Sequence, residues 1–184
     1  LNIEEKDIRC LPTNSNIFEN CDYVFHFAGI GDIVPSIEKP EKYMSNNVMG
    51  TVRILECARQ FRLKKFIYAA SSSCYGLANT PTDENHKIQP LYPYAISKQE
   101  GAYIVQKWNE IYNLPTNIIC IFNAYGPRSK TNGAYGAVFG TFLKQKLANR
   151  PFTVVGDGNQ KRDFIYVTDL VEAFFLAAES DLNG

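Results

Sequence analysis

The sequence lacks the features that would direct it to a membrane, a nucleic acid or a structural metal. No apolar run approaches the about 18–20 residues that a membrane-spanning helix needs. Lysine and arginine number 19, as do aspartate and glutamate, so no positive excess favours nucleic-acid binding. The five cysteines are odd in number and show no CxxC spacing. This usage argues against a disulfide framework or a zinc site and favours the reducing cytoplasm.

What the sequence contains is an alternation of apolar strands and helices. Dense apolar runs predict buried strands at residues 22–29, 64–76, 116–122 and 151–158. Apolar residues near helical spacing predict helices at residues 40–61, 94–113, 136–150 and 167–180. The polar, proline-containing stretch 77–92 predicts a loop. Strands separated by helices predict an α/β fold, with a doubly wound parallel sheet covered by helices on both faces.

Small and polar residues follow three of the predicted strands. They are Phe27-Ala28-Gly29, Ser71-Ser72-Ser73 and a segment that starts at Asn123. Ligands of such sheets bind at the carboxyl ends of the strands. Small residues at that edge let a flat cofactor approach the backbone, and hydroxyl groups supply hydrogen bonds without bulk. We therefore expect the functional site at this edge.

The stretch LYPYAISKQE places Tyr94 and Lys98 one helical turn apart, directly after the predicted loop. Such a pair also arises by chance, and a serine triplet is often only a loop or a helix N-cap. The order of the parts favours chemistry: a strand that ends in serine, a loop, then a tyrosine and a lysine at a helix start. An ammonium group beside a phenol of pKa about 10 favours the phenolate, which predicts an acid–base pair.

Seven segments in the same order make the chain resemble the NAD-dependent nucleotide-sugar epimerase/dehydratase family, the extended short-chain dehydrogenases/reductases. The segments are DIR (7–9), VFHFAG (24–29), NNVMGTVRILECA (46–58), FIYAASSSCYG (66–76), YPYAISK (92–98), FNAYGPR (122–128) and GDGNQKRDFIYVTDLVEA (156–173). The resemblance implies a Rossmann-like fold, incomplete at both ends. It also implies NAD as cofactor, with NADP left open, and a nucleotide-diphosphate sugar as substrate.

The resemblance assigns the catalytic roles to three residues. Tyr94 would be the acid–base that takes the proton from a sugar hydroxyl while hydride leaves the carbon for the nicotinamide. Lys98 would favour the phenolate and hold the nicotinamide ribose. Ser71 would hydrogen-bond the reacting oxygen and help to relay its proton.

The resemblance also assigns binding residues. Cofactor contacts would come from Asp7 and Ile8 at the adenine, from Phe27, Ala28 and Gly29 at the pyrophosphate and ribose, and from Asn47, Tyr94 and Lys98. Substrate contacts would come from Ser71, Ser72, Ser73, Asn123 and Arg162, the last as a clamp on the diphosphate that Asp163 orients. Two alternatives stay open. Asn47 could cross-link neighbouring turns, and Arg162 with Asp163 could be a local surface pair.

Departures from the family pattern narrow the reaction. No carboxylate follows Ser71, because Ser72 and Ser73 stand there, which favours 4-epimerisation over 4,6-dehydration. Cys74 is one residue too late for the cysteine of the 3,5-epimerising branch, so we interpret it as a small apolar side chain. Cys120 replaces an arginine frequent in relatives, to which we assign little functional weight. The predicted function is a nucleotide-sugar 4-epimerase. The alternatives are a dehydratase or keto-sugar reductase of the same family, or a non-catalytic binding domain.

The resemblance further bears on domain organisation and assembly. The family's GxxGxxG unit does not precede Leu1, so residues 1–184 are expected to form one partial dinucleotide-binding domain, inactive alone, in which 129–166 begin the substrate-binding part. The stretch 129–139 carries no specificity code that we can interpret. The resemblance implies a homodimer in which the helix after Asn47 and the helix from Tyr94 pack against their counterparts in a four-helix bundle. The helix from Tyr94 offers small apolar residues for this contact. They are Ala95, Ala102, Ile104 and Val105.

Overall fold

Three parallel strands form the main sheet in the computed structural model, which describes residues 2–129 and 138–184. They are β1 (Tyr23–His26), β2 (Lys65–Ser71) and β3 (Thr116–Ile121), in the order β1-β2-β3. Phe66 in the middle strand pairs with Val24 on one side and with Thr116 on the other. The first six residues of β2 are buried, as is expected of a central strand covered on both faces. The strands predicted around these three segments are confirmed.

Helices from the first part of the chain lie on one face of this sheet, the two longest packed on it and the shorter ones packed against them. They are α1 (Ile33–Glu38), α2 (Pro40–Tyr43), α3 (Gly50–Ala58) and α4 (Pro93–Tyr112), with a π-helical segment at Met44–Met49 between α2 and α3. Leu55 of α3 and Val105 of α4 are fully buried and share one core cluster with Phe66. Burial of this apolar face is the main force that docks α3 and α4 on the sheet.

The last helix, α6 (Val167–Glu179), covers the opposite face. Its Phe174 and Ala178 are buried in a second cluster with Ile67 and Ala69 of β2. Successive residues of β2 therefore point into different cores, as the alternation of side chains along a strand requires. A parallel sheet with helices on both faces confirms the predicted Rossmann-like α/β class.

A second, two-stranded parallel sheet lies beyond the main one. It pairs β4 (Asn123–Tyr125) with β5 (Phe164–Tyr166), and α5 (Val138–Leu147) lies between them along the chain. Aromatic side chains from all three elements meet, with the rings of Tyr125 and Phe139 4.8 Å apart. Most of the segment 129–166, predicted to begin the substrate-binding part, falls here, and its residues 130–137 lie outside those that the structure describes.

The strand predicted at 151–158 is wrong. Val154 and Val155 are 60% and 80% exposed, so their β-branched side chains have no sheet to pack on. The backbone N–H of Thr153 donates to the side-chain oxygen of Gln145 on α5 instead of to a strand (3.2 Å). The short elements α1, β4 and β5 were not predicted, because a few residues show no clear periodicity.

Two of the four residues chosen for a helix–helix dimer contact face the wrong way. Ala95 and Val105 are fully buried within the chain, and Ala102 and Ile104 pack partly against the core. The outward face of α4 carries other apolar groups, among them Tyr103 and Ile111. In residues 2–129 and 138–184, no helix combines the length and the apolar character that crossing a bilayer needs.

Candidate active site

Ser71 stands where β2 ends and a short 3-10 helix, Ser72–Tyr75, begins. Its extended backbone suits an N-cap, and its Oγ accepts from the N–H of Ser73 (3.3 Å). The hydroxyls of Ser71 and Ser73 lie 2.9 Å apart. The serine triplet is therefore both a helix cap and a row of hydroxyls at the carboxyl edge of the sheet.

Tyr94 lies in the first turn of α4, which Pro93 opens. Proline suits that position because the helix has no partner for its N–H there. The phenol is hydrogen-bonded to the Ser71 side chain, and its ring packs edge-on against Tyr43 with 6.4 Å between centroids. The strand end and the helix start thus bring Ser71 and Tyr94 into contact.

Lys98 follows one turn later and is only 8% exposed. Its Nζ lies 4.3 Å from the centre of the Tyr68 ring. Burial lowers the pKa of this amine to about 8, because an apolar surrounding disfavours the charged form. At pH 7 the amine still carries its proton in most molecules.

The expectation that Lys98, together with the oxidised nicotinamide, favours the phenolate of Tyr94 stays a prediction. The pKa of Tyr94 is raised, first because burial disfavours the phenolate. The hydrogen bond with Ser71 acts in the opposite direction, and the charge of Asp32 raises the pKa further. Lys98 lies one turn further along the same helix. Its ammonium faces the ring of Tyr68.

The three residues line one cavity of about 280 Å³ at the carboxyl edge of the main sheet. Its wall also includes the strand-end residues Phe27, Gly29, Ile30, Gly31, Ala69, Ala70, Ile121 and Phe122. Of the predicted site residues, this cavity gathers Phe27, Gly29, Ser71, Tyr94 and Lys98. It does not gather Asp7, Ile8, Ala28, Asn47, Ser72, Ser73, Asn123 and Arg162.

The turn after β1 fits the expected dinucleotide. Phe27, Ala28 and Gly29 are exposed, so backbone and small side chains are open to a flat ligand. A Cβ atom at Gly29 would lie 3.0 Å from Oδ1 of Asn47. The turn therefore has little room for a side chain, as a close backbone approach requires.

The side-chain amide of Asn47 is hydrogen-bonded to the backbone of this turn. Its Oδ1 accepts from the N–H of Ile30 (2.8 Å), and its Nδ2 donates to the Ile30 carbonyl (3.0 Å) and to Ser97 Oγ (2.9 Å). The residue is 1% exposed. These contacts favour the cross-linking alternative for Asn47, and a direct cofactor contact stays a prediction.

The adenine-side pair lies away from the cavity. Asp7 caps the 3-10 helix Ile8–Cys10 and forms an ion pair with Arg9 (Nε to Oδ1, 3.0 Å), which lowers the pKa of its carboxyl to about 2. Ile8 packs on the core beside Gly50, where a Cβ would collide with the Ile8 side chain. Their role at an adenine stays a prediction.

The residues predicted to bind the substrate diphosphate lie in or next to the second sheet. Nδ2 of Asn123 donates to the carbonyl of Asp163 (2.8 Å), next to Arg162. The exposed guanidinium of Arg162 donates to the carbonyl of Lys161 (2.8 Å). Within the described residues, no ion pair joins Arg162 to Asp163, so the expected orienting contact is absent. The phosphate contacts of Asn123 and Arg162 stay predictions.

A buried polar chain beneath the site was missed. Thr51 donates to the carbonyl of Asn47 (2.6 Å) and lies 2.9 Å from Nε2 of His26, which is 4% exposed. Since the Thr51 proton is used, Nε2 of the imidazole is the donor in that contact. The pKa of His26 is lowered to about 3, mainly by burial and then by the charge of Lys98. The His26 in VFHFAG was a signal, since a histidine inside an apolar strand needs a partner.

Two thiols also meet beside the site. Cys74 is buried, and its side chain is hydrogen-bonded to that of Cys120 at the end of β3. This contact lowers the pKa of Cys74, while the same contact and burial raise that of Cys120. The interpretation of Cys74 as a plain apolar side chain therefore missed its partner, which no spacing along the sequence indicates.

A larger cavity, of about 1010 Å³, lies between Tyr125–Ser129 and α5. None of the three catalytic candidates lines it. Groups of three or more histidine, cysteine or carboxylate side chains suited to a metal ion do not occur in the part of the chain that is described.

Comparison with known proteins gives one consistent result. The model of the NAD-dependent epimerase/dehydratase family matches residues 2–184. A curated relative, the putative UDP-glucose 4-epimerase of Methanocaldococcus jannaschii, is 37% identical over 174 residues, which are 93% of this chain and 57% of the relative. The chain therefore spans little more than half of that relative's length.

Two solved structures are similar throughout the chain. The UDP-N-acetylglucosamine 4-epimerase of Methanobrevibacter ruminantium M1, bound to UDP-N-acetylmuramic acid, has a TM-score of 0.93 at 33% identity and matches 97% of this chain and 58% of its own. The UDP-glucuronic acid 4-epimerase of Bacillus cereus, bound to UDP-glucuronic acid and NAD, has a TM-score of 0.87 at 32% identity, with 97% and 55% matched. The chain belongs to the NAD-dependent epimerase/dehydratase family.

Proposed function

We propose that the whole protein that contains this chain is an NAD-dependent nucleotide-sugar 4-epimerase that acts on UDP-sugars. The observation that carries the proposal is the contact of Tyr94 with Ser71 on a cavity that Lys98 also lines. The cavity lies at the carboxyl edge of a parallel sheet, where ligands of such folds bind. The UDP-sugar epimerases among the similar proteins support the substrate class.

NAD fits the turn after β1 and is the cofactor of a similar solved structure, so we propose NAD rather than NADP. Phe27, Ala28 and Gly29 would lie along its pyrophosphate and ribose, and Lys98 would donate to the nicotinamide ribose. When bound, NAD would supply the acceptor and donor of hydride at C4 of the sugar, and the positive charge of its oxidised nicotinamide ring would favour the phenolate of Tyr94. The adenine contacts proposed for Asp7 and Ile8 complete this set.

Tyr94 moves the proton in this scheme. Its Oη takes the proton of the C4 hydroxyl as the ketone forms and returns it after the sugar has turned in the pocket. Ser71 Oγ hydrogen-bonds the same sugar oxygen and the phenol, so it fixes their distance and relays the proton. The raised pKa of Tyr94 keeps Oη protonated in the free chain, which is the state that the return step needs. The first step needs the phenolate instead, and positive charge beside the phenol, from Lys98 and the oxidised nicotinamide, would favour that state.

Dehydration and decarboxylation need a further acid or base. Ser72 and Ser73 stand after Ser71, in a 3-10 helix, and supply no carboxylate. Asp32, directly before α1, acts on the phenol only through its charge, which raises the pKa of Tyr94. This arrangement supports epimerisation over the dehydratase and reductase alternatives. A non-catalytic domain would have no need of the Ser71–Tyr94 contact.

The test is the conversion of UDP-glucose to its C4 epimer by the whole protein. Tyr94→Phe removes only the hydroxyl and should lower kcat by about 10²–10⁴, the usual contribution of a positioned acid–base group. Tyr112→Phe is the matched control, because Tyr112 is exposed at the far end of the same helix, and it should keep full activity. Unchanged inversion in Tyr94→Phe, or a dehydrated product from the wild type, would refute the proposal.

Three further proposals concern the activity of the isolated chain, its location in the cell and its oligomeric state. We propose that the 184 residues alone turn over little or no substrate, which the same assay on this chain tests. We place the enzyme in the cytoplasm, which the five free cysteines support. We also propose a homodimer through the outward face of α3 and α4, where Tyr103 and Ile111 are exposed. Sedimentation equilibrium should give twice the monomer mass, and a monomer would exclude it.

A further inference from the structure

The ammonium group of Lys98 is buried without a carboxylate partner. None of the ion pairs between described residues includes it, although Lys98 is only 8% exposed. A buried charge is costly unless some group stabilises it. The group that meets Nζ is the face of the Tyr68 ring, 4.3 Å from its centre. That distance is well inside the limit of about 6 Å for a cation–π contact.

Tyr68 is held rigidly in this position. It is 1% exposed in the middle of β2. The His26 ring lies 5.7 Å away, and the Tyr68 hydroxyl donates to the backbone carbonyl of Lys98 (3.4 Å). The hydroxyl also points at Gly101 of α4, where a Cβ would collide with it. Gly101 therefore leaves the space that lets the ring lie flat beneath Lys98.

We propose that Tyr68 is a positioning residue that holds the Lys98 ammonium at the cavity wall through its ring face. A ring face attracts a cation without taking up its N–H groups. A carboxylate in that place would occupy those donors and cancel the charge. The ring therefore leaves Lys98 charged and free to donate into the cavity. The catalytic consequence rests on the proposed function, whereas the contact itself does not.

The groups around the amine belong to three elements. His26 faces it from β1, Tyr68 from β2, and Tyr94 stands one turn before it on α4. His26 is neutral at pH 7, because its pKa is lowered to about 3. The phenols of Tyr68 and Tyr94 are neutral too, because burial raises the pKa of both. All three neighbours are thus uncharged at neutral pH, and the face of the Tyr68 ring is the group that stabilises the ammonium of Lys98.

The geometry can be tested in the unchanged chain by NMR. Protons on the carbon next to Nζ of Lys98 should be shifted upfield by the ring current of Tyr68, in contrast to those of exposed lysines such as Lys6. The Lys98 signals are assigned by their loss in Lys98→Arg. Ordinary lysine shifts for these protons would overturn the proposal, with no variant of Tyr68 required.

The energetic role is tested by the pH dependence of amine labelling. Trace acetylation read by mass spectrometry gives the pKa of Lys98, expected at about 8 in the wild type. Tyr68→Phe keeps the ring and should keep this value. Tyr68→Leu stays apolar but removes the ring, so the pKa should fall by about one unit, a tenfold change in the unprotonated fraction. Equal values in the Phe and Leu variants would overturn the proposal.

Both measurements separate this proposal from the function. Neither uses a sugar or a cofactor, so a failure of epimerase activity leaves them unaffected. In the whole protein, Tyr68→Leu should raise the KM for NAD and Tyr68→Phe should restore it. If activity is present and both Tyr68 variants match the wild type, the positioning role is wrong while the proposed function stands.

Discussion

Replacement of Asn47 by alanine should destabilise the chain by about 3 kcal/mol. The side chain is 1% exposed and makes hydrogen bonds to the Ile30 N–H, the Ile30 carbonyl and the Ser97 hydroxyl. Each such bond contributes about 1 kcal/mol net, and a buried backbone group left without its partner costs about 1–3 kcal/mol. Three lost bonds therefore give about 3 kcal/mol at the lower end.

The assay is urea and thermal unfolding of the 184-residue chain, each followed by circular dichroism. For a chain of this size, about 3 kcal/mol corresponds to a fall of about 6–12 °C in Tm. Asn46→Ala is the matched control, because the neighbouring amide makes one exposed hydrogen bond, to the Lys42 carbonyl (2.8 Å). It should cost about 1 kcal/mol or less. Asn47→Asp should be at least as damaging as Asn47→Ala, because it buries a charge and loses both donors.

Equal unfolding free energies for Asn47→Ala and Asn46→Ala would refute this reasoning. Asn47 would then not hold the turn after β1. Its amide would be available to a ligand, and loss of NAD binding without loss of stability would establish the cofactor role instead.

Two further stability predictions concern His26 and Gly76. The His26 pKa is lowered from 6.5 to about 3, so the unfolded chain binds a proton that the folded chain does not. Stability should therefore fall by several kcal/mol between pH 6.5 and 3; His26→Asn should remove much of this slope in acid titrations, His86→Asn should not, and equal slopes would contradict the idea. Gly76 has φ +63° and faces the Gln89 carbonyl, so Gly76→Ala should cost more than 1 kcal/mol in urea unfolding. Gly31→Ala, which meets open space, should cost little, and a similar loss in both would contradict the argument.

Local patterns predicted the main sheet and its helices because the core selects them directly. The continuous apolar run at β2 needs cover on both faces, and the structure supplies it from α3, α4 and α6. Residues 151–158 show the limit of this reasoning. Their strand propensity was read correctly, but Val155 is 80% exposed, because propensity does not create a neighbouring strand.

The candidate site divides in the same way. The meeting of Ser71 with Tyr94 could be predicted, because one ends a strand and the other starts the helix that follows. The contacts of Lys98 with Tyr68 and of Asn47 with Ser97 could not. They depend on how far α4 rotates and how closely it approaches the sheet, which many distant side chains decide together. The resemblance supplied roles for these residues, but it did not indicate that Lys98 faces a ring.

The most direct test of the account follows the hydrogen on C4. The whole protein is supplied with NAD and UDP-glucose that carries deuterium at C4, in ordinary water, and the product is examined by mass spectrometry. If hydride leaves C4 and returns while Tyr94 moves only the hydroxyl proton, the C4 epimer keeps the deuterium in full. An epimer that has exchanged its deuterium for solvent hydrogen would contradict the account.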